Sequence, residues 1–187
     1  YSWGIVKEVR KTGSSPQIIV SRADNLFLRR LFEIEIPEIY DGIIEIKGIA
    51  REPGERAKVS VESQDARIDA VGACVGMKGV RIHAIVRELN NENIDVVNFT
   101  DDPTLYIQRS LAPAKIKQVE VDEEAKKATV MADSDQVSLI VGRNGVNIRL
   151  AMKLTGYEID VLREEKAFEE YEEDVELIDL KEELGMN

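Results

Sequence analysis

The chain has 187 residues, 43% of them hydrophobic, and a formal net charge of −11, room for one or two ordinary domains or several small ones that lean on each other. No apolar run approaches the roughly 20 residues that cross a bilayer, and no charged-then-apolar leader opens the chain, so the expectation is a soluble cytoplasmic protein with no membrane partner. One cysteine, Cys74, and one histidine, His83, leave no internal disulfide, no cysteine-histidine metal set and no nucleophile-base pair.

Residues 5–9 and 17–20 read as two strands around the turn-rich segment 11–16. Two strands alone make a marginal sheet, and the chain opens without methionine, so these residues are expected to come from a larger β domain. Residues 25–32 read as a helix with Leu28, Leu31 and Phe32 at core spacing and Arg29 and Arg30 outside. Pro37 starts a short helical turn through Tyr40, stopped by Asp41-Gly42. A hairpin follows, with strands over 43–50 and 57–61. Residues 69–75 form a helix burying Val71, Cys74 and Val75, and the next helix buries Ile82, Ile85, Val86 and Leu89, an i, i+3, i+4, i+7 stripe. A strand over 94–99 closes the unit.

The same order recurs. Residues 102–111 read as a helix, 117–121 and 128–131 as a second hairpin, and Ser134 or Asp135 as the cap of a helix through Val141. A helix carrying Ile148, Ala151 and Met152 and a strand over 157–162 complete the second unit. With Pro103 so close to the end of the first unit, the two are expected to dock as one body.

Between the paired helices of each unit lies the same glycine-spaced loop, Gly76-Met77-Lys78-Gly79 and Gly142-Arg143-Asn144-Gly145, 66 residues apart. A single GxxG means little, since the 12 glycines of this chain yield roughly one such pair by chance. The 66-residue shift, however, also superposes Val71 on Val137, Cys74 on Ile140, Val75 on Val141, Val80 on Val146 and Ile82 on Ile148. A repeat this long points to a duplicated domain.

A glycine at either end lets a sugar-phosphate backbone approach the main chain without meeting a Cβ. Each loop also hands the chain directly to a helix, whose free N–H groups and positive dipole end favour an anion. Lys78 and Arg143 add one cation apiece. RNA binding is the expectation, with phosphates at the loops, unstacked bases against Val80, Ile82, Val146 and Ile148, and Arg81 beside them. On the following helices His83 and Arg87 align with Arg149 and Lys153, each pair at i, i+4 away from the apolar stripe. That pattern reads either as a basic track or as a solvated helix face.

The acidic balance is local. Residues 164–187 hold eleven acids against Lys166 and Lys181, a net of −9 that leaves about −2 on residues 1–163. A near-neutral body with basic patches can hold RNA, with limited non-specific affinity. The acidic segment, with Phe168, Tyr171, Leu177 and Leu180 among its acids, reads as a solvated end or as an amphipathic helix for a protein partner.

Both units resemble KH domains of the prokaryotic (type II) kind, an α+β fold whose GxxG loop clamps about four single-stranded nucleotides. Ser21-Arg22, Phe27-Leu28-Arg29-Arg30-Leu31-Phe32, Pro37-Glu38-Ile39-Tyr40-Asp41-Gly42, Ile49-Ala50-Arg51-Glu52-Pro53-Gly54 and Val71-Gly72-Ala73-Cys74-Val75-Gly76 are similar to the NusA family of bacterial transcription factors, a resemblance that covers residues 17–163. It implies a partial OB-type β-barrel remnant with a linker helix over 1–34, a first KH domain over 35–101, a second over 102–163 and the acidic segment 164–187. It also implies nascent single-stranded RNA and RNA polymerase as partners, other transcription factors through the acidic segment, and an influence on pausing, termination and antitermination. No enzymatic activity, metal or cofactor is implied.

The candidate RNA contacts are Gly76, Met77, Lys78, Gly79, Val80, Arg81, Ile82 and Arg87 in the first unit. In the second they are Gly142, Arg143, Asn144, Gly145, Val146, Ile148, Arg149 and Lys153. Met77 stands where the family more often has proline. On the residues alone a ribosome-associated or general KH RNA-binding protein stays open, as does a protein-protein scaffold working through the acidic segment. The absence of a GxxxxGK[ST] loop argues against a nucleotide-hydrolysing enzyme.

Overall fold

The structure is a computed structural model that describes residues 2–164. The acidic segment weighed above as a partner helix lies outside the described residues, apart from Glu164 at the end of the last strand. Strands β1 (Ile5–Thr12) and β2 (Ser15–Ser21) pair antiparallel, with Val6 opposite Val20 and Val9 opposite Ile18, all four exposed. The pair stands as its own two-stranded sheet, and no barrel closes among the described residues.

Helix α1 (Asn25–Glu35) starts at Asp24, whose carboxylate accepts the Leu26 N–H at 2.8 Å, an N-cap that satisfies one of the open amides of the first turn. Its Phe27, Leu28, Leu31 and Phe32 are buried in the first core together with Ile39 of α2 (Pro37–Tyr40). The sequence placed this helix with the preceding segment. In the structure its apolar face packs in the core of the first sheet.

That unit continues with β3 (Ile44–Glu52), β4 (Arg56–Ser63), α3 (Ala70–Val75), α4 (Val80–Glu88) and β5 (Asn93–Asn98). The second contains α5 (Pro103–Ser110), β6 (Gln118–Asp122), β7 (Lys127–Asp133), α6 (Ser134–Val141), α7 (Val146–Thr155) and β8 (Glu158–Glu164). The sheets are ordered β3-β4-β5 and β6-β7-β8, and each middle strand pairs antiparallel with the first and parallel with the last. The two helices with the loop between them supply the long crossover that parallel pairing requires. Helix α6 is capped one residue earlier than expected: Asp133 holds the extended cap position and Ser134 is already helical.

The units share a buried interface. Strand β4 is buried over five consecutive residues, Ala57 to Val61. Ala57, Val59 and Val61 pack in the first core, while Lys58 and Ser60 point the other way, into the second unit. The fully buried Lys58 Nζ donates to Asp95 Oδ2 at 2.9 Å and to Ala112 O at 3.1 Å; burial pushes its pKa down, and Asp95 pulls it partly back. Tyr106 Oη donates to Ser60 Oγ at 2.9 Å. Val146 and Leu150 of α7 bury against Ala50 of β3, with Leu154 at the margin. Each such side chain contributes about 2 kcal/mol on burial. Gly48 makes the approach possible, because a Cβ there would lie 3.0 Å from Ser60 Oγ and 3.1 Å from Leu154 Cδ1.

Candidate nucleic-acid interface

The two loops have the same backbone. Gly76 lies at φ 76°, ψ 172°, Lys78 at φ 54°, ψ 25° and Gly79 at φ 77°, ψ 15°. Gly142, Asn144 and Gly145 lie at φ 74°, ψ 174°, φ 54°, ψ 24° and φ 74°, ψ 13°. Three positive-φ residues in four turn the chain sharply between two helices, and the loop amides open the second helix without acceptors inside it. The turn is closed from within, by Gly76 N to Gly72 O and Gly142 N to Ser138 O, both 2.9 Å, and by Gly79 N to Gly76 O and Gly145 N to Gly142 O, both 3.1 Å.

A side chain two residues after the second glycine anchors each loop. Arg81 Nη1 donates to Ala73 O at 2.8 Å and to Glu38 Oε2 at 2.9 Å. Its counterpart Asn147 is fully buried, and its Nδ2 donates to Leu139 O, Ile140 O and Leu111 O at 3.1, 3.1 and 3.2 Å. Ala73 and Leu139 are themselves related by the 66-residue shift, so both side chains hold the same carbonyl at the end of the preceding helix. Arg81 thus supports the loop's own structure through Nη1, with its side chain 29% exposed. Asn147 escaped the sequence reading because an arginine and an asparagine hid the shared role.

The apolar candidates separate in the same way. Val80 is 63% exposed, whereas Ile82 is 8% and Val146 6% exposed. Ile82 belongs to the first core and Val146 to the inter-unit contact. Ile148 is partly buried against the second core. The helical stripe already places Ile82 on the core side; the burial of Val146 depends on the other unit, which periodicity does not report.

Among the cations, Lys78, Arg87 and Arg143 are exposed and form no ion pair or side-chain hydrogen bond among the described residues. Arg149 is held: Nε and Nη2 donate to Glu52 Oε1 and Oε2, each at 3.0 Å, and Nη1 donates to Asn144 O. Lys153 Nζ lies 3.8 Å from Glu52 Oε1. Hydrogen bonding from Arg149 holds the Glu52 carboxyl below the usual carboxylate range. Met77, Lys78, Val80, His83 and Arg87 come together with Ala84 and Glu35 along one open groove of about 690 Å³ beside the first loop.

Residues 22–99 match the family described as the NusA-like first KH domain, and residues 103–169 match the NusA-like second KH domain. The chain belongs to the NusA-like KH family. The first match begins before α1, in keeping with the packing of that helix. This NusA-like pair is 50% identical over 164 residues to the transcription termination/antitermination protein NusA of Bacillus subtilis, covering 88% of this chain and 44% of that protein. The proteins of the same name from Thermus thermophilus and Rickettsia prowazekii are 48% and 41% identical, with 82% and 96% of this chain covered. The chain spans 40% and 38% of those two relatives, less than half of any of the three. They are named as regulatory factors and not as enzymes.

In fold the NusA-like pair is also similar to the crystal structure of APE1850, with a TM-score of 0.53 and 21% identity over 73% of this chain and 96% of that one. Among the described residues no helix is long and apolar enough to cross a membrane, and no three His, Cys, Asp or Glu side chains are grouped to hold a metal ion.

Proposed function

We propose that this chain binds single-stranded RNA through two backbone grips, one at each GxxG loop, as the RNA-holding part of a cytoplasmic transcription factor that acts on pausing, termination and antitermination by RNA polymerase. The observation that carries this reading is the agreement of the two loops to within 3° in every positive-φ residue, each with a cation, Lys78 or Arg143, that is unpaired among the described residues. Conformations of this kind cost free energy in non-glycine residues, and a plain helix-helix turn has no need of them twice. The backbone contacts fall to the loop amides with Lys78 and Arg143, and Arg87 extends the first grip along the groove. Val80 and Met77 offer apolar surface for an unstacked base.

Fluorescence anisotropy with a single-stranded RNA of about eight or more nucleotides, one four-nucleotide clamp per unit, tests the reading against a duplex of the same length. Aspartate at Met77 and Lys78, or at Arg143 and Asn144, is expected to weaken single-strand binding about tenfold with circular dichroism unchanged. Wild-type affinity in both variants would remove the loops from the function.

A further inference from the structure

We propose that Glu52 sets the strength of the second grip: it is a built-in competitor for phosphate that makes the two grips unequal. The inference rests on the RNA-binding reading above and concerns a residue outside both loops. Glu52 ends β3 of the first unit, yet its carboxylate receives the full fork of Arg149 and lies beside Lys153, both on the helix that follows the loop of the second unit.

The geometry is that of an arginine holding a phosphate, with both carboxylate oxygens engaged by Nε and Nη2. The third face of the guanidinium is taken as well, because Nη1 donates to Asn144 O inside the loop and occupies the space a Cβ on Gly145 would need. Arg149 therefore ties the second loop to the first unit. An RNA phosphate arriving there meets one net positive charge where the sequence offers two. Glu55, on the same hairpin turn, acts on Arg149 in the same direction from farther away.

The first grip is arranged differently: Glu38 pairs with Arg81 beneath the loop and Glu35 lines the groove, but among the described residues neither takes an arginine fork on the helix that follows. His83 occupies the position of Arg149 and packs its ring over Gly79 in the same manner, but no carboxylate pairs with it among the described residues, and Arg87, the counterpart of Lys153, is equally free. Two loops of equal backbone thus carry unequal electrostatics. The second grip closes in competition with Glu52. The carboxylate is partly exposed, 21% for the side chain, so an incoming strand can reach the pair without separating the units.

The test is Glu52→Gln in the full chain, assayed by anisotropy with the same single-stranded RNA from 50 to 500 mM salt. The amide can still accept from Arg149, and Lys58, Tyr106 and Leu150 still dock the units; circular dichroism and the melting temperature check that they do. Removing one negative charge roughly 7 Å from a bound phosphate should tighten binding about three- to fivefold at low salt, fading at high salt. The slope of log affinity against log salt should steepen by about 0.7 for one added phosphate contact.

The same substitution in an Arg143→Asp, Asn144→Asp background should gain nothing, which separates this inference from the reading beneath it. If the loop variants themselves bind like wild type, it is the RNA-binding reading that fails. Unchanged or weaker binding by Glu52→Gln, or a gain that persists with the second loop disabled, overturns the role of Glu52. Independently of any variant, the Arg149 Nε–H resonance of the wild-type chain should shift when RNA is added, and an unmoved resonance at saturation overturns it too.

Discussion

Replacing Gly142 with alanine probes the part of the second loop that cannot yield. Its backbone at φ 74°, ψ 174° is a region that essentially only glycine occupies, at a cost to any other residue of about 1–3 kcal/mol. The added methyl would lie 2.7 Å from Asn147 Cβ and 2.9 Å from Asn147 N. Neither atom can swing aside, since both belong to α7 near its backbone, and the Asn147 amide is tied to three carbonyls. Relief requires α6 and α7 to part, which weakens those buried hydrogen bonds and adds about 1–2 kcal/mol. The expected loss is about 3–4 kcal/mol, confined to the second unit.

Gly76 is the internal control for that estimate. Its backbone is the same, φ 76°, ψ 172°, but a methyl there would meet Arg81 Cγ at 2.9 Å and Cδ at 3.2 Å, carbons of a stem that can change rotamer. Gly76→Ala should cost about 2 kcal/mol. Urea unfolding followed by circular dichroism, with hydrogen exchange to assign each loss to its unit, measures both. A Gly142→Ala loss no larger than that of Gly76→Ala would show that Asn147 does not lock the loop.

Other consequences follow from single residues. Lys78 sits at φ 54°, where the second loop has asparagine at the same angle. Asparagine tolerates that region better than lysine, so Lys78→Asn should raise stability by about 0.5 kcal/mol while weakening RNA binding several-fold. A fall in the urea midpoint would contradict the strain argument. Cys74 is buried, and burial pushes its thiol up to about 12, so alkylation at pH 8 should proceed only as fast as the first unit opens. The thiol stays protonated in the fold where an unfolded chain ionises near 9.0, so its contribution to stability is complete below pH 9 and is lost as pH rises towards 12. Labelling of the native protein at the rate of a free thiol would refute this placement.

Local signals made most of the unit legible. Ile82, Ile85 and Leu89 of the expected stripe lie in the core, whereas Val86 at its edge is only partly buried, and both hairpins appear within a few residues of their expected bounds, because strand and turn chemistry act over short range. The loops were legible for the same reason: their glycines sit at positive φ, a property of the chain itself. Burial of Val146, engagement of Arg81 and the packing of α1 in the first core were not legible, because each depends on an element distant in sequence.

Strand β4 marks the division most sharply. Its alternation Ala57-Lys58-Val59-Ser60-Val61 determined, from the sequence alone, a strand with one apolar face and one polar face, and the repeated GxxG determined two like loops at two helix starts. The sequence did not say what that polar face would meet. Only the tertiary structure buried it, by bringing Ala112, Tyr106 and α7 of the second unit onto Lys58, Ser60 and Gly48, and the same docking brought Glu52 to Arg149. The physical reason is range: dihedral preference and side-chain alternation are carried by neighbouring residues, whereas the partner of a polar face is chosen by whichever surface, far away in sequence, satisfies its hydrogen bonds while covering the apolar rim around it.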